Sequence, residues 1–593
     1  MLSARIAINL AFIVCVVTHD PIVEISSGKL VGSSVEFSHK DVDDTSTLHV
    51  FKGIPYAEPP VGDLRFRPPR PKSRWDGVYN ATYYRSICVQ PLHPFIPSEG
   101  TQNEDCLFLN VYAPKTTSKR LPVMVWIHGG GLYIGSGSDY YYDGTALAAI
   151  GDVIVVSFNY RLGALGFLVT GDDHATGNYG LYDQIAALQW VQENIEAFGG
   201  DRDKVTIFGE SAGSVSVEYL ILSPLINGLF QRAIMQSGTA SMDGFRGKDS
   251  SFHGVIAKGL GKLVGCEGDN SDELFRCLRA VPAQDFRNSG DPALGLIANI
   301  TGLGTKLRSI PFPPVMDANL IVDNPVDVIR KREFTKENID IMIGTMADEA
   351  SMFLLEIMAD MANESEIFMN RTVFEDTHPL FVAGPGGNNP AALDAIKLMY
   401  VEWENADSDG ADYIDAFIQM GTDQYFTCPA DLSARAHSQA GSKVYRYQMT
   451  HTPSKSMWRI KWMRAAHVDE IPFVFGWHFL LGEEWTMPME EVDMSLKMIQ
   501  YWTNFAKTGN PNMDCDGDTI SEEDKQEVWP VFTVPGLAYK ELSLKMENKR
   551  ALKARECAMW NDFIPKLLKH TETGIVCTTS GDETSKYTER GNF

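Results

Sequence analysis

Two glycine-rich strings in this chain carry residue types that could perform acyl chemistry together. Gly209-Glu210-Ser211-Ala212-Gly213 sets a serine between glycines, after the apolar run Val205-Thr206-Ile207-Phe208 and before Ser214 to Leu220, which can continue as a helix. A serine on a sharp strand-to-helix turn is lifted out of the backbone, and the flanking glycines let strand and helix pass closely. At ordinary Gly and Ser usage a chain of this length shows such a pentapeptide by chance with a probability of roughly 0.2, so its companions decide its meaning. A serine hydroxyl needs a base to take its proton, and attack on a carbonyl needs donors for the oxyanion that forms. The second string supplies donors. Val123-Met124-Val125-Trp126-Ile127 runs into His128-Gly129-Gly130-Gly131, and consecutive glycines leave backbone N–H groups free to face a ligand. With the residue after the serine, the candidate oxyanion donors are Gly130, Gly131 and Ala212.

The base is sought among 13 histidines. In the chain order serine, acid, histidine, the string Ala465-Ala466-His467-Val468-Asp469-Glu470-Ile471 stands out, because His467 precedes an apolar stretch in a loop-like setting; His437, His451 and His478 are rivals on spacing. For the acid, Ile343-Gly344-Thr345-Met346-Ala347-Asp348-Glu349 follows a strand-like run. Either Asp348 or Glu349 could orient an imidazole, and residue type alone does not choose.

These residues need a scaffold. Runs that are apolar throughout, at Val123–Ile127, Val153–Phe158, Val205–Phe208, Ala233–Met235, Ile339–Ile343 and Val444–Tyr447, read as strands buried on both faces. Between two of them, Ile185, Leu188, Val191 and Ile195 recur at helical spacing. Strands alternating with helices predict an α/β fold with a doubly wound, mostly parallel sheet, and ligands bind beyond the carboxyl ends of such strands. Short strands are expected at Ile22–Ile25 and Lys29–Gly32, a more helical elaboration from about Gly244 to Lys443, and an exposed flexible loop over Phe374–Asn389, where glycine, proline and asparagine cluster.

The chain has 593 residues and a net charge of −25, which argues against a nucleic-acid surface, since that would need a basic patch. Residues 1–18, with Arg5 followed by an apolar run from Ile6 to Val17 too short to span a bilayer, read as a signal peptide. Residues 19–568 read as one domain, and 569–593 as a polar tail with no hydrophobic anchor. The localisation expected is secreted. Nine cysteines, of which Cys15 lies in the signal segment, fit an oxidising compartment, although spacing cannot give their connectivity. Sequons at Asn80, Asn299, Asn363 and Asn370 permit N-glycosylation.

The motifs together resemble the type-B carboxylesterases, the carboxylesterase–cholinesterase group of the α/β-hydrolases. The resemblance covers roughly Ile22 to Leu568. Besides the two glycine strings, it rests on Phe51 to Ala57, Glu104 to Val111, Asn159-Tyr160-Arg161-Leu162-Gly163, Gly199-Gly200-Asp201, Gln236-Ser237-Gly238 and Trp560-Asn561 with Phe563. It implies the α/β-hydrolase fold, a large mostly parallel mixed sheet with helices over the site, and hydrolysis of small-molecule esters through an acyl-enzyme on Ser211, with His467 as base and Glu349, rather than Asp348, as acid. It further implies polar supporting roles for Glu210 and Ser237, and disulfides Cys88–Cys106, Cys266–Cys277 and Cys428–Cys557. Cys515 and Cys577 have no family counterpart; they pair together, stay free, or join two chains through the tail. No metal or organic cofactor is called for, and neither a nucleic-acid partner nor a transmembrane anchor is expected.

Departures from the family bear on the substrate. Cholinesterases carry a tryptophan in the loop closed by the first cysteine pair, which holds a quaternary ammonium by cation–π attraction; Val89 to Asp105 contains none. The aromatic that follows the acid in cholinesterases corresponds to Met352, and the acyl-pocket phenylalanines to about Arg308 and Ile310. The expected pocket, with Leu132, Met352 and Phe353 as walls, suits hydrophobic, uncharged esters. The alternatives are a cholinesterase proper and an inactive adhesion protein similar to neuroligins.

Overall fold

The computed structural model describes residues 20–572 except 43–44, 93–97, 99, 116–119, 246–249, 267, 269, 291, 294, 296–309, 335–338, 358–365, 383–388, 459 and 514–527. The expected signal segment, most of the expected polar tail, Cys515, Cys577, Arg308, Asn299 and Asn363 therefore lie outside the described residues.

The strands in chain order are β1 Ile22–Ile25, β2 Gly28–Val31, β3 Ser33–Phe37, β4 Ser46–Pro55, β5 Val78–Asn80, β6 Phe108–Pro114, β7 Leu121–Ile127, β8 Ile154–Phe158, β9 Gly200–Glu210, β10 Arg232–Gln236, β11 Asp340–Met346, β12 Val444–Met449, β13 Ala538–Leu542 and β14 Asn548–Arg550. An 11-stranded sheet runs β14-β13-β12-β11-β10-β9-β7-β8-β6-β4-β3, and β1, β2 and β5 form a separate three-stranded sheet. From β8 across to β13 every neighbouring pair is parallel, while both margins of the sheet are antiparallel. This is the expected mixed, mostly parallel α/β-hydrolase sheet.

Its central strands are apolar without alternation because both faces are covered. Val123, Val125 and Ile127 of β7 enter one core with Ile207, Ile341 and Ile343. Met124 and Trp126 enter the other, with Phe208 and Met342. The first core is closed by the helices Tyr179–Asn194 and Ala212–Leu222, the second by Met489–Thr508, whose Met498, Ile499, Trp502 and Phe505 are fully buried. Register aligns the carboxyl ends: Ile127 pairs with Gly209, Gly209 with Met235, and Met235 with Ile343. The segments after β7, β9, β10 and β11 consequently emerge along one edge.

The three implied disulfides are present: Cys88–Cys106, Cys266–Cys277 and Cys428–Cys557. One expectation fails. Arg371–Val382 is a helix, so the first part of the loop expected over Phe374–Asn389 is helical instead, and residues 383–388 lie outside the described residues. The turn-forming residues cluster only from Gly384 onward, whereas Phe374, Thr377 and His378 fall on one helical face and are buried. Among the described residues no helix is long and apolar enough to cross a membrane.

Candidate active site

Ser211 occupies the turn between β9 and the helix Ala212–Leu222 with φ 56° and ψ −124°. That conformation is rarely adopted by a residue with a side chain and costs about 1–3 kcal/mol. The turn is held because the Ser211 N–H donates to Gln236 O at 2.9 Å and the Val215 N–H to Ser211 O at 2.9 Å. Gly213 makes it sterically feasible: a Cβ there would lie 2.0 Å from Ile127 O. Helix and β7 can cross this closely only without a side chain.

The glycine turn after β7 faces Ser211. Gly129 lies against Glu210 and the Ser211 Cβ, and Gly130, at φ 96°, turns the chain so that its carbonyl accepts from the Tyr133 and Ile134 N–H groups. Among the described residues the N–H groups of Gly130, Gly131 and Ala212 donate to no protein acceptor. Three unused donors beside a strained serine are an arrangement that can stabilise a developing negative charge.

The structure separates the two acid candidates. Glu349 is fully buried; its Oε1 accepts the Met346 N–H at 2.8 Å and its Oε2 lies 2.6 Å from His467 Nδ1. Asp348 turns the other way, accepting from Gln419 Nε2 at 2.8 Å and the Arg464 guanidinium at 2.9 Å. The His467 backbone carbonyl accepts the Trp458 indole N–H at 2.6 Å, and the ring packs on Phe426 with centroids 4.9 Å apart. The rival histidines point elsewhere. His437 stacks on Phe334 beside Glu218, His451 bonds Glu491, and His478 bonds Asp41.

Glu210 brings a second carboxylate to the imidazole: its Oε1 lies 2.9 Å from His467 Nε2. The two atoms are close but not aligned, and neither has a hydrogen-bond partner. Burial by itself would lower the imidazole's affinity for a proton; Glu210 and Glu349 outweigh it and hold His467 well above its ordinary range. Burial raises Glu210, opposed by His467. Two further buried carboxyls follow the histidine. Burial pushes Asp469 up to about 7 although Ser456 Oγ and the Ala466 N–H bond it. Burial and then the nearby Glu210 push Glu470, which accepts from Gln236 Nε2, up to about 8. Both acids stand in the string that contains His467, and their place before the apolar run from Ile471 is the sequence signal of buried carboxyls.

Ser237, at φ 56°, is buried after β10; its N–H donates to Gly344 O at 2.9 Å, and its Oγ has no hydrogen-bond partner. Among the wall candidates, Leu132 is buried in the glycine turn, and Met352 and Phe353 are half-buried on the helix that follows Glu349. Phe353 packs on Tyr425 and Phe426, with ring centroids 5.4 and 6.2 Å apart, so an aromatic row leads to His467. Ile310 approaches the Gly131 turn. Phe426 sits in a π-helical turn, Asp423–Thr427, next to Cys428. Nothing local in the sequence signals its role, because it lies 41 residues from the histidine it touches.

Among the described residues, His39, Asp41 and His478 are close enough to share a metal ion. Met487 N–H donates to His478 Nδ1, so Nε2 carries the proton that it gives to Asp41 and offers no lone pair to a metal.

Residues 19–560 match the model of the carboxylesterase family. Three acetylcholinesterases are similar over most of their length. That of Bungarus fasciatus is 36% identical over 536 residues, covering 88% of this chain and 84% of the relative. That of Electrophorus electricus is 36% identical over 588 residues, covering 91% and 88%. That of Danio rerio is 35% identical over 602 residues, covering 93% and 90%. With the strained serine, the open glycine turn and the paired His467 and Glu349 on one sheet edge, the chain belongs to the carboxylesterase family.

Proposed function

We propose that this protein is a secreted serine hydrolase of carboxylic esters that works through an acyl-enzyme on Ser211. The carrying observation is His467: Nδ1 is fixed by Glu349 at 2.6 Å, while Nε2 lies beside Glu210, the residue that precedes Ser211, and has no hydrogen-bond partner. An imidazole held in this way takes a proton through its second nitrogen. His467 removes the hydroxyl proton as Ser211 Oγ bonds to the ester carbonyl carbon. Gly130, Gly131 and Ala212 donate to the oxyanion, and loss of one such donor costs about 3 kcal/mol of barrier. His467 then protonates the departing alkoxide oxygen. Water, activated by the same nitrogen, releases the acid.

The favoured substrates are hydrophobic, uncharged esters. Leu132, Met352 and Phe353 supply apolar walls, and the loop from Val89 to Asp105 offers no tryptophan to a quaternary ammonium. A choline ester is the second reading, favoured by the acetylcholinesterase relatives and by the Glu210 carboxylate at the site. Secretion is supported by three disulfides and by the exposure of Asn80 and Asn370 as glycan acceptors.

The test is a steady-state comparison of an aryl butyrate with acetylthiocholine, alongside mass spectrometry after treatment with an organophosphate. A phosphoryl adduct on Ser211 with higher kcat/KM for the aryl ester supports the proposal. Higher kcat/KM for acetylthiocholine moves the assignment to the choline ester, and absence of both adduct and turnover overturns the hydrolase reading.

A further inference from the structure

A cavity opens along the segment that leads into His467. It has a volume of about 430 Å³ and is lined by residues 452–456, 460–461, 463–464 and 484–485, within the size range of small-molecule sites, about 300–1,000 Å³. Neither Ser211 nor the glycine turn contributes to it.

Its charge runs against that of the chain. The protein carries 77 acidic and 52 basic residues, yet Ser454–Arg464 holds four basic residues and no acidic one. Lys455, Lys461 and Arg464 line the cavity against a single carboxylate, Glu484. Arg464 is engaged by Asp348 and Asp415, whereas Lys455 and Lys461 form no ion pair among the described residues. The remaining wall joins the hydroxyls of Thr452, Ser454 and Ser456 to an apolar part made by Pro453, Ile460, Met463 and Trp485, with Met463 and Trp485 buried and Ile460 half-buried. Unpaired ammonium groups beside a partly closed apolar surface suit a ligand with one anionic end and an apolar body.

We propose that this cavity binds an amphiphilic organic carboxylate, its head on Lys455 and Lys461 and its apolar body against Ile460, Met463 and Trp485. The site is joined to the catalytic segment. Ser456 Oγ donates to Asp469 at 2.6 Å, and Trp458, two residues further on, donates to the carbonyl of His467 at 2.6 Å. The binding proposal is independent of the hydrolase reading.

The experiment is calorimetric titration of sodium decanoate into the full chain carrying Ser211→Ala, at low and at high salt, with 1-decanol as the uncharged control. Saturable binding is expected, at least about tenfold weaker with K455E/K461E, weaker at high salt and at least about tenfold weaker for decanol. Both lysines have solvent-accessible positions and no ion pair among the described residues, so circular dichroism should be unchanged in the double variant. Undiminished binding in K455E/K461E places the ligand elsewhere, including beside residue 211, and overturns the proposal. Equal affinity for decanol, or no saturable binding, overturns it as well.

Discussion

Glu210 Oε1 lies 2.9 Å from His467 Nε2 without being aligned to bond it. The carboxylate thus sets a second negative group against the imidazole, opposite the nitrogen held by Glu349. Together with Glu349, it more than offsets the burial that would otherwise disfavour the imidazolium, so the folded pKa of His467 is raised. Protonated His467 therefore adds stability that is fully present below the unfolded value of about 6.5 and is lost as pH rises through the folded value. Activity, which needs the neutral base, runs in the opposite sense. Glu210→Gln should move the acidic limb of the kcat/KM profile to lower pH and flatten the alkaline loss of stability; an unmoved limb would show that Glu210 does not act on His467.

Glu349 and Asp348 are adjacent in the chain but have different partners. Glu349→Gln, which leaves the imidazole without its orienting charge, is expected to lower kcat about 10³–10⁴-fold. Asp348→Asn removes only the bonds to Gln419 and Arg464 and should change kcat less than about threefold. Steady-state kinetics on one ester decides the matter, and equal losses in the two variants would contradict the division of roles.

Ser211 is predicted to separate activity from stability. Ser211→Ala should abolish turnover, by at least about 10⁴-fold, with a urea midpoint close to that of the native chain, since the φ of 56° is kept. Ser211→Gly is equally inactive but relieves about 1–3 kcal/mol of backbone strain, less up to about 1 kcal/mol for the greater freedom of unfolded glycine. Its urea midpoint should rise at unchanged slope. A lower midpoint for the glycine variant would rule out strain in the native turn.

Gly213→Ala places a methyl 2.0 Å from Ile127 O. Helix and strand must separate, at a cost of about 1–3 kcal/mol or more, and the Ala212 N–H moves with the helix. Both the urea midpoint and kcat are expected to fall. A native midpoint would mean that the crossing can relax.

Much of this architecture was legible in the sequence because it depends on local pattern. Uniformly apolar runs bounded by turns marked the central strands, and the glycine strings marked the places where backbone must bend sharply or approach closely. His467 and the pair Asp348-Glu349 could be nominated from chain order and setting, and the family resemblance selected Glu349. The Gly384–Asn389 cluster carries turn composition, but that composition does not reach Phe374, Thr377 and His378, whose helical face is buried. What only the tertiary structure decided was direction and distance: Glu349 toward the imidazole and Asp348 toward Arg464, Glu210 beside Nε2 but out of line, and Phe426 against His467 from a distant turn. Periodicity encodes which face of an element is buried. It does not encode which side chains from separate elements meet once β7, β9, β10 and β11 align their carboxyl ends, because that depends on sheet register and on the long connections between strands.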